Sequence, residues 1–314
     1  MNRTSLLFAA AGLAMLPGLA FAGEGGTAHV VPGANATLVD LLPTAPGSFF
    51  KPMYMNYSGT VSARIPTAAG VAANVDAQAD TFVLGGGYTF DQTVLGGAHY
   101  TVAAFLPYSW LDISANVERP GGPVGVRSKV SGFGDLTVVP VMLAWKTGDN
   151  WQVNALMPIY APTGSYKEGR LGNPGLNYWT IDPMVGVAYM NKQSGFNAMI
   201  HGGYAMNTEN PDTDYQSGSI LHVDAAIQQI LPVGSGLLTL GVEGFYFDQI
   251  TGDSGSGAVL GDFKGMTAGL GPVLGYIQPL GKESLVFELK WLAEMDTKNR
   301  LEGDYIWLKA VYKF

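Results

Sequence analysis

The chain ends with GDYIWLKAVYKF at residues 303–314, and this stretch decides the fold. Counted back from the terminal Phe314, every second residue is apolar: Tyr312, Ala310, Leu308 and Ile306. Lys313 and Lys309 occupy positions between them. An alternation with a period of two is typical of a strand that has one apolar face and one polar face. The stretch therefore predicts an amphipathic β-strand that ends at an aromatic residue.

Both ends of the chain carry features of an exported barrel protein. Phe314 and Tyr312 resemble the terminal aromatic signal that the barrel-assembly machinery recognises in outer-membrane proteins. At the other end, residues 1–22 combine a short charged start, the apolar stretch Leu6–Leu16 and a small-x-small site at 20–22. We therefore predict a cleaved signal peptide at 1–22 and a protein located in a bacterial outer membrane.

Strand-like alternation recurs along the rest of the chain. The predicted strands are 49–63, 76–90, 98–112, 132–147, 150–162, 178–191, 196–208, 218–230, 237–249, 263–277, 284–296 and 303–314. Long connections alternate with short ones along the chain. The long connections are 64–75, 113–131, 163–177, 209–217 and 250–262, and the short ones are 148–149, 192–195, 232–236 and 278–283. The connections 91–97 and 297–302 are nearly equal in length and do not follow this rule. Outer-membrane barrels show such alternation, with short turns at the periplasmic end and longer loops outside.

Aromatic residues near strand ends separate a membrane barrel from a soluble sandwich. Tryptophans and tyrosines at the two membrane interfaces form girdles, and eight residues fit that position: Trp110, Trp145, Trp151, Trp179, Tyr189, Tyr246, Tyr276 and Tyr312. We predict an all-β protein, an antiparallel up-and-down transmembrane β-barrel of about 12 strands at 49–314; ten or fourteen strands would follow from one misplaced boundary. Residues 23–48 precede it as a periplasmic or plug segment, or as a flexible tail.

Composition excludes several classes of function. A net charge of -8 disfavours nucleic acid as a partner, because binding to phosphates requires a basic surface. The absence of cysteine excludes disulfides and thiolate zinc sites. His222 and Asp224 share a strand face, but no serine is placed to complete a triad with them, and no hydrolase motif occurs. Acidic loop residues could hold calcium, although solvated loops are commonly acidic. We expect no enzyme activity, no cofactor and no metal.

Polar residues at predicted inward positions are candidates for a selectivity lining, because rings of charged side chains decide which solutes pass a channel. These candidates are Asp182, His201, His222, Asp224, Glu243, Glu288, Lys290, Glu294 and Lys309. The alternative is that these side chains pair with one another and fill a narrow barrel. Twelve strands lie between the eight whose side chains fill a barrel and the sixteen to eighteen that leave an aqueous channel.

Several motifs resemble a family named for the meta-pathway of phenol degradation. They are Glu24-Gly25-Gly26 with His29 and Pro32-Gly33, Gly132-Phe133-Gly134-Asp135-Leu136 with Pro140 and Trp145, Pro162-Thr163-Gly164-Ser165-Tyr166, Leu171-Gly172-Asn173, and the run from Asn177 to Pro183. The resemblance implies an outer-membrane barrel associated with catabolism of aromatic or hydrophobic compounds. It suggests passive or facilitated uptake of small solutes, with membrane lipid, the assembly machinery and the solute as partners. The alternative is a non-conducting structural or adhesive barrel that binds partners through its outer loops.

Overall fold

The computed structural model describes residues 23–64, 72–117, 124–258 and 264–314, so the predicted signal peptide lies outside the described residues. Two 3-10 turns, Glu24–Gly26 and Leu38–Asp40, precede the strands. The strands are β1 (Gly47–Arg64), β2 (Ala72–Val94), β3 (Ala98–Val117), β4 (Val124–Phe133), β5 (Leu136–Thr147), β6 (Trp151–Leu156), β7 (Ile159–Ala161), β8 (Thr180–Ile181), β9 (Met184–Met190), β10 (Phe196–Asn207), β11 (Ile220–Val233), β12 (Gly236–Gln249), β13 (Met266–Leu280), β14 (Glu283–Lys298) and β15 (Glu302–Lys313).

The strands form one closed antiparallel sheet. Each strand of the barrel wall pairs with the next wall strand along the chain, and β1 pairs with β15 to close the ring, with Tyr57 opposite Tyr305. Three wall strands are each built from two pieces, β4 with β5, β6 with β7, and β8 with β9. The predicted 12-strand antiparallel barrel is therefore confirmed.

The broken wall strands explain where the sequence-based boundaries were wrong. Segments 132–147, 150–162 and 178–191 were each predicted as one continuous strand, but Gly134-Asp135, Pro158 and Pro183 lie in the breaks. Proline cannot donate a hydrogen bond to the ladder, so it terminates regular pairing. Within the described residues, β4 pairs only with β3. β5 continues the same wall strand and pairs with β3 on one side and with β6 and β7 on the other.

Several connections are shorter than predicted because the strands run further. The first turn narrows from 91–97 to the residues between Val94 and Ala98. The connection predicted at 113–131 narrows to the interval between β3 and β4. On the outward face of that pair, Asp112 accepts hydrogen bonds from the Arg127 guanidinium and pairs with Lys129, so cross-strand charge pairs support the extension. Short turns therefore lie at one end of the barrel and longer connections at the other.

The outer surface of the barrel is apolar. Large apolar side chains project from many strands and are between 47% and 67% exposed in five examples: Leu84, Val185, Ile200, Phe287 and Trp291. A belt of this kind is unfavourable in water and suits a lipid surround. No helix among the described residues is long and apolar enough to cross a membrane.

The segment from Gly23 to Ala45 runs inside the barrel, and we call it the lumenal segment. It begins among the long connections, where Gly23 contacts Asp253, and it passes Asp224 on β11 at mid-height. At the other end Leu42 accepts a hydrogen bond from Gln152, near the start of β6. The chain then turns into β1. The segment therefore crosses the lumen from the long-loop end to the short-turn end.

Candidate functional site

All nine predicted lining residues face the interior and are buried, with at most 6% of any of them exposed. They lie on the wall from β8 to β15. The structure brings them together in two groups. The first group is His222 and Asp182, whose side chains lie 2.9 Å apart. The second group lies around Lys290 and the lumenal segment. His201 lies opposite Asp224 on the β10–β11 pair, and Glu294 lies apart from both groups.

Lys290 connects the wall to the lumenal segment at mid-height. Its ammonium donates to the Glu243 carboxylate at 2.7 Å and to the carbonyl oxygen of Gly33 at 2.5 Å. Asp224 accepts from the backbone N–H groups of Gly33 at 2.9 Å and Asn35 at 3.1 Å. Charge-assisted hydrogen bonds of this kind are stronger than neutral ones. The segment is therefore held through its backbone by charged residues of opposite sign.

Asp40 is the anchor near the short-turn end. It accepts from the Lys51 ammonium at 2.7 Å and from Lys309 at 2.9 Å, and Lys309 also donates to the carbonyl oxygen of Ala34 at 2.7 Å. Two ammonium groups therefore contact one buried carboxylate at hydrogen-bond distance. The anchor joins the lumenal segment to both β1 and β15.

Neutral donors of the lumenal segment also contact the wall from β8 to β15, which we call the polar wall. The Thr37 hydroxyl donates to Glu288 at 2.9 Å, and the Leu38 N–H donates to Gln228 at 2.8 Å. Val39 and Leu42 pack in an apolar cluster with residues of the barrel's short-turn end, including Phe49 and Met142. Most charged residues of the polar wall therefore bind the lumenal segment or one another and do not face an open path.

His29 is a site residue that the sequence analysis did not select, because it precedes the first strand. Its Nδ1 lies 2.7 Å from the Thr180 hydroxyl oxygen and its Nε2 lies 2.9 Å from Asp135. The Thr180 hydroxyl also donates to the side-chain oxygen of Asn207. The ring also stacks on Tyr160 at 4.9 Å. His29 thus joins the segment to the broken part of the wall.

The glycine-rich motifs meet at this same break. Asp135 accepts hydrogen bonds from the N–H groups of Gly164 at 2.8 Å and Leu176 at 2.6 Å. A Cβ on Gly164 would lie 2.7 Å from the backbone of both Gly134 and Gly175. Only glycine allows three backbone segments to approach so closely. The motifs that carried the family resemblance therefore build a crossing point that receives His29.

The opposite half of the lumen is open and mostly apolar. A cavity of about 960 Å³ lies between the lumenal segment and the wall formed by the first five strands. Inward side chains of these strands that line it include Met53, Met55, Val75, Ala77, Ala79, Val83, Phe105, Leu111, Ile113, Val139 and Met142. The first five strands differ in this respect from the wall that carries the nine predicted lining residues, because apolar and small side chains occupy most of the inward positions along this cavity. The lumen is thus divided into an occupied polar half and an open apolar half.

Gly33 should be the least replaceable residue of the lumenal segment. It has a φ of +72°, and a Cβ would lie 2.2 Å from Leu292 Cδ1, whereas Gly25, with a φ of +66°, has open space around it. Both alanine variants carry a left-handed strain of about 1–2 kcal/mol. Gly33→Ala adds the clash and should displace the segment, increasing protease cleavage within 23–45 in the folded barrel. Equal protease cleavage of Gly33→Ala and Gly25→Ala would contradict the close packing of Gly33 against Leu292.

The acidic loop residues do not form a metal centre within the described ranges. In those ranges no group of three or more histidine, aspartate and glutamate side chains could hold a metal ion. Asp212 and Asp214 lie in the connection after β10, and Asp253 accepts hydrogen bonds from protein groups. Asp262 lies outside the described residues.

A closed antiparallel barrel with an apolar outer belt and a partly filled lumen defines the class: a membrane-spanning β-barrel of the outer-membrane type. The chain belongs to the family described as "Putative MetA-pathway of phenol degradation", whose family model matches residues 60–310. The resemblance drawn from the sequence motifs is confirmed.

Solved structures support the same fold. The chain is similar to the COG4313 outer membrane channel from Pseudomonas putida F1, with a TM-score of 0.60 and 16% sequence identity, covering 91% of this chain and 100% of that one. At this identity the likeness shows the fold alone. The transport unit of the autotransporter AIDA-I from Escherichia coli is more distant, with a TM-score of 0.45 and 12% identity over 89% of this chain and 94% of its own. None of the curated proteins matches the chain in sequence.

Proposed function

We propose that the protein is an outer-membrane channel for the uptake of small apolar solutes, with aromatic compounds among them. The observation that carries this proposal is the apolar cavity of about 960 Å³ beside the lumenal segment. Ligand sites of drug-sized molecules have volumes of roughly 300–1,000 Å³ and are mostly apolar. The cavity therefore suits a small hydrophobic solute in size and in chemistry.

Three further points support uptake. Met53, Met55 and Met142 line the cavity, and thioethers make favourable contacts with aromatic rings. The family description refers to phenol degradation, and the similar structure from Pseudomonas putida is described as an outer membrane channel. The nine lining residues of the polar wall are proposed to select solutes as part of the same function. They can do so only when the lumenal segment has moved away from the polar wall.

The proposal is tested by blocking the cavity with one side chain. Ala79 lines the cavity from β2, and Leu84 on the same strand faces lipid and is 47% exposed. Ala79→Trp should fill part of the cavity and lower uptake severalfold, while Leu84→Trp, which adds a similar ring outside, should leave it unchanged. The measurement is the rate at which intact cells producing each variant take up the apolar aromatic probe N-phenyl-1-naphthylamine.

Two outcomes would count against the proposal. Equal uptake by both folded variants would show that solutes do not use the cavity. Uptake no faster with the wild-type protein than without it would favour a structural or adhesive barrel. In that case removal of outer loops should abolish partner binding without altering solute passage.

A further inference from the structure

We infer that the α-ammonium group of Gly23, formed when the signal peptide is removed, binds the carboxylate of Asp253 and fastens the lumenal segment at the long-loop end. The inference goes beyond solute uptake and does not depend on it. It assigns a role to the Glu24-Gly25-Gly26 motif and to an acidic loop residue that the uptake proposal does not use.

The position of Gly23 is the first observation. Its backbone nitrogen lies 3.1 Å from Asp253 Oδ2 and is buried. Hydrolysis between Ala22 and Gly23 adds water across the peptide bond, leaving a carboxylate on Ala22 and an amine on Gly23 that takes up a proton. The nitrogen that now donates as a neutral amide becomes a cation at the same place. A charge-assisted hydrogen bond then replaces a neutral one.

The construction around Asp253 is the second observation. Asp253 is 8% exposed. Its Oδ2 accepts from the Tyr215 hydroxyl at 2.5 Å, and its Oδ1 accepts from the Gly218 N–H at 2.9 Å and the Gln249 amide at 2.7 Å. These neutral donors orient the carboxylate toward Gly23. A buried carboxylate held by neutral donors is stabilised strongly by a cation at hydrogen-bond distance.

The neighbouring residue shows that this end of the segment occupies a built site. Glu24 accepts from the Thr213 hydroxyl at 2.8 Å and from the Asn210 amide at 2.8 Å, and its N–H donates to Ser217 at 3.1 Å. The contacts come from the loop that joins β10 to β11. The first two residues of the predicted mature chain are therefore bound by the long loops, so the position of the cleavage site determines which atom meets Asp253.

The test measures the α-amine directly in the mature, membrane-extracted protein. Mass spectrometry should find Gly23 as the first residue. The rate of acylation of that amine by a succinimidyl acetate reagent is then followed from pH 6 to pH 10 by peptide mass analysis. An ordinary α-amine has a pKa of about 7.7–8.0, and pairing with Asp253 should raise the apparent value to about 9 or above.

Two variants separate the charge from the packing. Asp253, Glu24, Tyr215 and Tyr178 are the titratable groups near the amine. Asp253→Asn removes the negative charge and should return the apparent pKa to the ordinary range, with acylation at neutral pH at least tenfold faster. Tyr215→Phe removes one hydrogen bond to the same carboxylate and leaves its charge, so the raised pKa should persist.

Three results would overturn the inference. They are a first residue other than Gly23, an ordinary α-amine pKa in the wild-type protein, and an Asp253→Asn profile identical to the wild type. Because the wild-type titration alone decides the second of these, the test does not depend on folding of the variants.

Discussion

Lys290→Met is expected to lower the free energy of unfolding by about 3–5 kcal/mol, because removal of one partner from a buried ion pair leaves the other charge uncompensated. Neither Lys290 nor Glu243 has any exposed side-chain surface. The substitution also removes the donor to Gly33. The lumenal segment should therefore lose its central anchor as the barrel loses stability.

The measurement is urea unfolding of the purified protein in lipid vesicles, followed by tryptophan fluorescence. Lys282→Met is the matched control, because Lys282 is exposed in the turn before β14 and its loss should change the unfolding free energy by less than about 0.5 kcal/mol. Adding Glu243→Gln to Lys290→Met should recover part of the loss, since no unpaired carboxylate remains at that site. Equal stability of Lys290→Met and Lys282→Met would show that the central anchor contributes nothing.

The sequence was sufficient for the barrel because every strand meets the same physical requirement. A wall between lipid and lumen requires alternation, and the last strand shows it at six consecutive even positions from Asp304 onward with only one polar exception. The breaks at Pro158 and Pro183 could have been assigned from the missing N–H of proline. The crossing of glycine-rich segments at the broken wall, which receives His29, could not be predicted, because it involves residues that are far apart in the sequence.

The candidate site was only partly accessible from the sequence. Alternation identifies which side chains point inward, and all nine predicted lining residues do. It does not show what occupies the space in front of them. The backbone groups of Gly33 and Asn35 that Asp224 binds have no side-chain signature, so the path of the lumenal segment required coordinates. The apolar cavity was missed because the inward positions of β2 carry small and apolar residues such as Val75, Ala77 and Ala79, so polar side chains do not mark the lumen face of this strand.

Deletion of residues 24–42 is expected to raise the single-channel conductance of the protein severalfold in a planar bilayer. The deletion removes the chain that occupies the polar half of the lumen. The diameter of a barrel grows with the number of strands, so twelve strands leave more room for water than the eight whose side chains fill a barrel. The barrel should still form, because β1 and β15 close the sheet without help from the deleted residues. Replacement of 24–42 by a glycine-serine segment of equal length should give an intermediate conductance, since that segment lacks the anchors.

The deletion should also produce a preference for cations that is stronger than that of the intact protein. The exposed wall would carry the carboxylates of Asp182, Asp224, Glu243, Glu288 and Glu294 against the ammonium groups of Lys51, Lys290 and Lys309. Rings of acidic side chains favour cations. Neutralising Glu288 and Glu294 together should reduce this preference in the deletion variant and have little effect in the intact protein, where Glu288 is bound by Thr37. The same loss of preference in both backgrounds would mean that ions already pass along the polar wall, and that the lumenal segment does not cover it.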